Sequence, residues 1–355
     1  VTAPDAPLRI VVCGSRFGAR YADALATDPG SELVGLLGRG STRTAELAAR
    51  LGVPHARRIE DLPPTDAACV VVGTGLAGGA GSTLAGELLE RGVAVLQEHP
   101  VPDSELAGTL ALARRRGVAY RVSSLHPGLP APRRFAAAAR GLGRPLFADA
   151  VCAVPMSYVL LDVLAGALRG LRPFACAATD VPEPVAALAA APSPMRCVQA
   201  AAAGVPLTLR VQNQLHEADP ESHMHIPIRI TLGFGAGVLT LLDLHGPVLW
   251  SPRPDTRAAG DAPGAGVIGP AEAPGFTAAA RTLWPDGIRC SVAELGHDIR
   301  TGADPMRAGR RHLAVAAAWA QVYEALGYPE PLTGELPDAL APAEVDALAV
   351  DEGAR

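Results

Sequence analysis

The sequence predicts an α/β chain in two parts: a doubly wound parallel sheet over residues 1–125, then an α+β domain with a mainly antiparallel sheet over residues 126–355. Three observations carry this. Apolar runs alternate with amphipathic helical segments through the first third of the chain, the pattern of a parallel sheet with right-handed crossovers. Beyond Pro127 that rhythm yields to strand-like runs with no helix between them, as in an antiparallel sheet with one covered face. At 355 residues the chain exceeds one ordinary domain and suffices for two, each with its own core.

The elements follow in order. Arg9 to Cys13 is an apolar strand ending at Gly14, after which Phe17, Tyr21, Ala24 and Leu25 recur at helical spacing. Glu32 to Leu37 reads as a strand, Thr42 to Leu51 as a helix and Ala68 to Val72 as a buried strand. Ser82 to Arg91 puts Leu84, Leu88 and Leu89 on one helical face, and Val93 to Leu96 is the next strand. The helix from Asp103 to Arg116 closes with three arginines that suit the negative end of its dipole, and Gly117 stops it. Val118 to Val122 completes the parallel set. In the second part, helices at Ala131 to Leu142 and Val159 to Leu171 flank a strand near Phe147 to Val154. Leu207 to Gln214, Ile226 to Phe234 and Gly237 to Leu244 are the later strands. Ser251 to Gly275, dense in Pro, Gly and Ala, is expected as a surface loop or lid. Arg307 to Leu326 is a helix with Leu313, Ala316, Ala320 and Tyr323 in phase, and the tail from Pro329 is Pro-rich and acidic.

Composition narrows the function. Apolar residues make up 49 % of the chain, which is enough for packed cores and excludes a disordered chain. The net charge is −5 and there is no long basic run, which argues against a nucleic-acid partner. Cys13, Cys69, Cys152, Cys176, Cys197 and Cys290 show no CxxC pairing, so a reducing cytoplasm is expected. Val1 to Pro7 lacks the basic head and apolar stretch of a signal peptide. The uncharged span from Ala67 to Gly86 is broken by Gly73, Gly75, Gly78, Gly79 and Gly81 and is expected as strand plus loop, not as a membrane segment. The chain contains no lysine, which excludes any mechanism that needs one.

Cys13-Gly14-Ser15-Arg16-Phe17-Gly18 lies between the first strand and the first helix, where small residues let backbone N–H groups approach a pyrophosphate. Cys and Ser occupy the first two glycine positions of G-x-G-x-x-G. The motif is weak alone, but its context is that of a Rossmann dinucleotide site. Where an NAD-preferring fold places an acidic residue for the ribose, this chain has Arg39, Gly40, Ser41, Thr42 and Arg43. Guanidiniums and hydroxyls at a helix start suit a 2′-phosphate, so NADPH is expected over NADH, with Arg39 placed to stack on adenine as well. Gly73 and Thr74, after the third strand, are expected to line the rest of the cleft.

After the fourth strand comes Gln97-Glu98-His99-Pro100, at the carboxyl edge where a nicotinamide would lie, and Glu98 is counted with the cofactor-binding residues. This layout resembles the glucose-fructose oxidoreductase and inositol dehydrogenase-like superfamily, whose members carry Glu-Lys-Pro at this point. Relatives also place an Asp and a His in the second domain to deprotonate a sugar hydroxyl, and here Leu161 to Leu168 offers Asp162 alone. Both departures argue against sugar-alcohol oxidation. Val-Cys-Gly-Ser-Arg-Phe-Gly, Gly-Arg-Gly-Ser, Gln-Glu-His-Pro and Leu-Arg-Pro-Phe together resemble a narrower branch, the thiazolinyl imine reductases of siderophore biosynthesis. That resemblance implies NADPH-dependent reduction of a thiazoline C=N bond to a thiazolidine while the substrate hangs from a nonribosomal peptide synthetase carrier domain. Pyochelin- and yersiniabactin-type pathways are the known settings.

Such a reaction needs a proton for the imine nitrogen as well as a hydride. His99, tethered at the nicotinamide edge and with an ordinary pKa near 6.5, is the first candidate for general acid. His126, at the end of the last parallel strand where relatives place a tyrosine, reads equally as proton donor or relay and as a positioning residue. Tyr158 is the candidate for lining the substrate pocket, core packing being the alternative. His216, His223 and His225 beside Glu217, Asp219 and Glu221 lack a convincing tetrahedral set, and no metal is expected. Trp250, Trp284 and Trp319 are expected to pack, or to form an aromatic wall. Two other functions compete: an NADP-dependent sugar or polyol dehydrogenase, and a non-catalytic dinucleotide sensor. A homodimer through the open face of the second-domain sheet is expected by analogy with the superfamily.

Overall fold

A computed structural model describes residues 6–73, 79–218, 224–254, 263–335 and 338–350. The first sheet contains β1 (Leu8–Cys13), β2 (Ser31–Leu37), β3 (His55–Ala56), β4 (Ala67–Val70), β5 (Ala94–Glu98) and β6 (Tyr120–Ser123). Its order is β3-β2-β1-β4-β5-β6, and every pair is parallel. Helices α1 (Gly18–Leu25), α2 (Thr42–Leu51), α3 (Ala80–Glu90) and α4 (Asp103–Arg116) make the crossovers. The strand order reverses between β1 and β4, which places a ligand crevice at their carboxyl ends. Local chemistry fixes the boundaries: Ser41 caps α2 by accepting from the Thr44 N–H, and Gly52 and Gly117 end α2 and α4 in the left-handed conformation. The two-residue β3, which runs against β2, lies outside the sequence expectation because it is too short to show a period.

The second part begins with α5 (Pro130–Leu142), β7 (Phe147–Ala153) and α6 (Ser157–Ala167). It continues through β8 (Phe174–Thr179), the short α7 (Glu183–Ala186), β9 (Met195–Ala202), β10 (Val205–Gln212) and β11 (Gln214–His216). Then come β12 (Ile228–Phe234), β13 (Gly237–Leu241), β14 (Val248–Pro252) and β15 (Gly266–Val267). The sheet order is β15-β14-β13-β12-β7-β10-β9-β8, antiparallel except for the β7–β10 pair. Its inner face packs on α5 and α6; α6 is buried along almost its whole length. The predicted loop from Ser251 to Gly275 starts instead inside β14 and includes β15, and its residues 255–262 lie outside the described residues.

Three further helices follow: α8 (Phe276–Thr282), α9 (Trp284–Thr301) and α10 (Pro305–Leu326). Strand β16 (Glu330–Leu332) pairs with β11, and α11 (Pro342–Val350) comes last. Helix α9 returns to the first sheet: Trp284, Ile288, Val292 and Leu295 join one core cluster with Ile10, Val12, Tyr21 and Leu96. Helix α10 runs beside α4 and α6 and carries Val315, Trp319 and Val322 into the other cluster. Among the described residues no helix is long and apolar enough to cross a membrane.

Candidate functional site

The turn after β1 is built for a close backbone approach. Gly14 has φ +99°, and a Cβ there would lie 2.4 Å from the Val71 carbonyl oxygen. Only glycine fits both constraints. Ser15 Oγ accepts from Thr44 Oγ1 at 2.8 Å, which ties the turn to the first turn of α2. Gly18 is buried at the start of α1, Arg16 is exposed, and Phe17 packs edge-on to Tyr21 and tilted against Trp284.

A cleft of about 840 Å³ opens beside this turn, and Gly14, Ser15, Arg39 and Ser41 line it. Arg57 and Arg58, which sequence reasoning missed, line it as well. The Arg57 guanidinium lies over Gly40, where a Cβ would meet it at 3.1 Å. Arg58 is held by Glu60, which Arg91 also binds. The Glu60 carboxyl sits below its usual range through a backbone hydrogen bond and those two arginines. Arg39 and Arg57 have no carboxylate partner among the described residues, so the cleft retains positive charge. Arg43 is exposed on α2 and Gly73 is exposed after β4; neither lines this cleft. Thr74 lies outside the described residues. A glycine turn that admits no Cβ, at the switch point of a parallel sheet, fits a nicotinamide dinucleotide.

At the ends of β5 and β6 the chain assembles a charged cluster with little access to solvent. His99 Nδ1 lies 2.9 Å from Glu98 Oε1 and 3.2 Å from the Ser123 carbonyl oxygen. Both neighbours accept, so Nδ1 carries hydrogen, and Nε2 has no hydrogen-bond partner among the described residues. The other Glu98 oxygen receives the Tyr21 hydroxyl, which also stands 3.0 Å from Ser123 Oγ. Burial by itself drives the His99 imidazole towards its neutral form. The Glu98 carboxylate, through charge and hydrogen bond, outweighs that effect with help from Asp162 and the Ser123 carbonyl, and the pKa ends above 6.5. His99 therefore holds its proton to higher pH than an ordinary imidazole does.

His126 lies against the same cluster, its ring edge-on to His99 at 6.1 Å and to Trp284 at 6.0 Å. Its environment works in the opposite direction: burial first, then the nearby charges of His99 and His245, push its pKa down to about 3. Its Nδ1 is buried without a hydrogen-bond partner among the described residues. His126 is thus a neutral imidazole at neutral pH. Tyr158 stacks on His99 at 5.2 Å and 25°, with only 1 % of its surface exposed. Its hydroxyl is 3.5 Å from Nδ1 of His312 on α10, whose pKa burial lowers to about 4. Neighbouring Arg311 grips the buried Asp162 carboxylate at 2.7 Å.

Trp284 closes the other side. It donates to His245 Nε2 at 3.2 Å and stands edge-on to Phe276. Trp319 instead packs behind the site, donating to Ser157 Oγ and lying edge-on to Tyr158. His216 is away from this cluster, near the Gly334 carbonyl at 3.0 Å, and His225 lies at the mouth of β12; Asp219, Glu221 and His223 lie outside the described residues. No group of three His, Cys, Asp or Glu residues suited to a metal occurs among the described residues.

Residues 8–124 match the model of the oxidoreductase family with an NAD-binding Rossmann fold, and residues 144–251 match the thiazolinyl imine reductase Irp3-like C-terminal model. No curated protein matches the chain. Among solved structures, a 3-ketoreductase from Actinomadura kijaniata in complex with NADP is 15 % identical, with a TM-score of 0.65 over 93 % of this chain and all of that one. An oxidoreductase from Agrobacterium radiobacter, solved with NAD+, L-tartaric acid and magnesium, is 11 % identical, with a TM-score of 0.67 over 90 % of this chain and 96 % of that one. A UDP-N-acetylglucosamine 3-dehydrogenase from Acidithiobacillus ferrooxidans is 16 % identical, with a TM-score of 0.62 over 91 % of this chain and all of that one. At these identities the structures testify to the shared fold alone. The chain therefore carries a Rossmann domain of the oxidoreductase family, followed by a domain similar to the C-terminal domain of the Irp3-like thiazolinyl imine reductases.

Proposed function

We propose that the protein is an NADPH-dependent thiazolinyl imine reductase, converting the C=N bond of a thiazoline to a thiazolidine on a carrier-tethered intermediate of nonribosomal siderophore assembly. The observation that carries this reading is His99, whose Nδ1 is bound by Glu98 while its Nε2 has no partner among the described residues, in a chain whose second domain matches the Irp3-like model. Gly14, Ser15, Arg39, Ser41 and Arg57 are the residues we assign to holding NADPH. That cofactor, when bound, supplies a hydride to the imine carbon.

The rest of the chemistry falls to the chain. His99 Nε2 donates a proton to the imine nitrogen, so the nitrogen gains hydrogen as the adjacent carbon is reduced. Glu98 keeps the imidazolium charged and, through the shared Nδ1 hydrogen, fixes the ring. Tyr21, whose hydroxyl also meets Ser123 Oγ, orients Glu98 in turn. Tyr158 covers one face of the ring and Trp284 borders the cleft, so both exclude water from the reacting atoms. His126, neutral in this setting, is assigned to positioning; its unpaired Nδ1 is a site for a substrate donor.

The sugar-dehydrogenase reading needs a general base. Asp162 occupies the matching stretch of α6, yet Arg311 binds its carboxylate directly, which disfavours proton abstraction. Six free cysteines are consistent with a cytoplasmic setting. We also assign self-association to the open face of the second sheet, where Asp149, Gln199, Arg210 and Arg229 are exposed. Turnover separates the functional readings: NADPH consumption with an aryl-thiazoline thioester supports the proposal. NADP+ reduction by sugars without thiazoline turnover refutes it in favour of a dehydrogenase, and cofactor binding without either reaction refutes it in favour of a sensor.

A further inference from the structure

A groove of about 540 Å³ runs between α5 and α6, beginning at Pro127, next to His126. Arg133, Arg134, Arg140 and Arg311 line it, and no lining residue is acidic. Of the four, Arg311 alone is paired with a carboxylate, Asp162, among the described residues. Arg133 and Arg134 lie near the N-terminus of α5, where the helix dipole disfavours cations, and neither has a carboxylate partner among the described residues. The arginines are nevertheless ordered. Arg140 donates to the Gly166 carbonyl at 2.8 Å, Arg311 is fixed by Asp162, and the Arg134 guanidinium packs over Gly269, where a Cβ would lie 2.6 Å from it.

The groove leads inward. It shares Pro127, Arg133 and Arg311 with an inner cavity of about 250 Å³ whose wall includes Asp162 and His312. His312 touches the Tyr158 hydroxyl, and Tyr158 stacks on His99. The inner cavity thus ends at His312, one hydroxyl contact and one ring stack from His99.

We infer that this arginine groove is the docking site for the phosphodiester of a phosphopantetheine arm, the tether that delivers a carrier-bound substrate. The inference rests on the imine-reductase reading for the identity of the tether, and on charge complementarity for its place. Guanidinium forks pair with phosphate oxygens by parallel, charge-assisted hydrogen bonds, and a flexible arm laid from Arg134 past Pro127 carries its thioester towards His126 and His99.

The test is calorimetric titration of the NADP+-saturated protein with phosphopantetheine and with pantetheine, so that the dinucleotide cleft cannot take the phosphate. The groove predicts that phosphopantetheine binds at least about tenfold more tightly than pantetheine and that salt erodes the difference. It predicts that the Arg133→Ala/Arg134→Ala variant loses that advantage with its NADPH affinity unchanged. Equal affinity for the two probes, or a phosphate advantage that survives in the variant, overturns the proposal. A parallel turnover assay on a simple aryl-thiazoline thioester lacking phosphate reads the imine-reductase activity separately, because the variant should match the wild-type protein there. A wild-type protein that binds phosphopantetheine in the groove and reduces no thiazoline would keep the docking site and refute the reaction.

Discussion

His99 and His126 are 6.1 Å apart, yet their surroundings separate their protonation states. Glu98 holds one above its ordinary pKa, while burial and the neighbouring positive charge take the other to about 3. Two consequences are measurable. Replacing His99 with Phe should lower kcat by about 10²–10⁴ and leave NADPH affinity unchanged, as measured by steady-state kinetics and fluorescence titration. In the wild-type protein the acid must be protonated, so kcat/KM should fall as pH rises through a His99 pKa that lies above 6.5. Glu98→Gln should move that alkaline limb to lower pH. For His126 the linkage runs the other way. Its folded pKa lies below the unfolded value of 6.5, so stability is full above 6.5 and is lost as pH falls towards 3. Thermal denaturation across pH 7 to 4 should show that loss, and His126→Phe should flatten it.

At the scale of elements, the Gly14 turn and the α9 helix carry the cofactor end of the site. A methyl group at Gly14 meets the Val71 carbonyl and demands a left-handed backbone, so Gly14→Ala should abolish detectable NADPH binding in a titration. Arg39→Ala should lower the NADPH-over-NADH preference by about tenfold or more, and Arg39→Ala/Arg57→Ala should lower it further. Trp284→Ala removes a buried ring shared by Phe17, His126 and Phe276, and should cost about 3 kcal/mol in urea unfolding. The sequence displayed the parallel sheet because each strand–helix unit there has a clean period, and the segments for α2 and α4 coincide with the observed helices. Strands β8 and β9 were hidden because alanine and cysteine dominate them and β8 is exposed along most of its length. Helix α9 was hidden by the Pro and Gly in its first turn. The site divides in the same way. Glu98 and His99 are legible because they are adjacent after a recognisable strand. Arg57, Trp284 and His312 reach the site through tertiary packing from segments whose local pattern is ordinary.

Across the whole molecule, the second half of the chain completes the first. Helix α9 seals one face of the parallel sheet, α10 lies beside α4, and α6 supplies Tyr158 to the ring of His99. This arrangement brings the Gly14 turn and the buried His99–Glu98 pair into one molecule, with an arginine-lined groove between α5 and α6. The exposed second sheet should associate with a second copy: sedimentation equilibrium should give twice the mass of 36.3 kDa, and charge reversal at Arg210 and Arg229 should return the monomer. The most direct test of the account is mass spectrometry of the product formed from an aryl-thiazoline thioester and NADPH carrying deuterium at its transferable position. The account predicts a thiazolidine with one deuterium on the former imine carbon and one solvent-derived hydrogen on nitrogen, formed far more slowly by the His99→Phe variant. Recovery of unchanged thiazoline with the labelled cofactor unspent would contradict it.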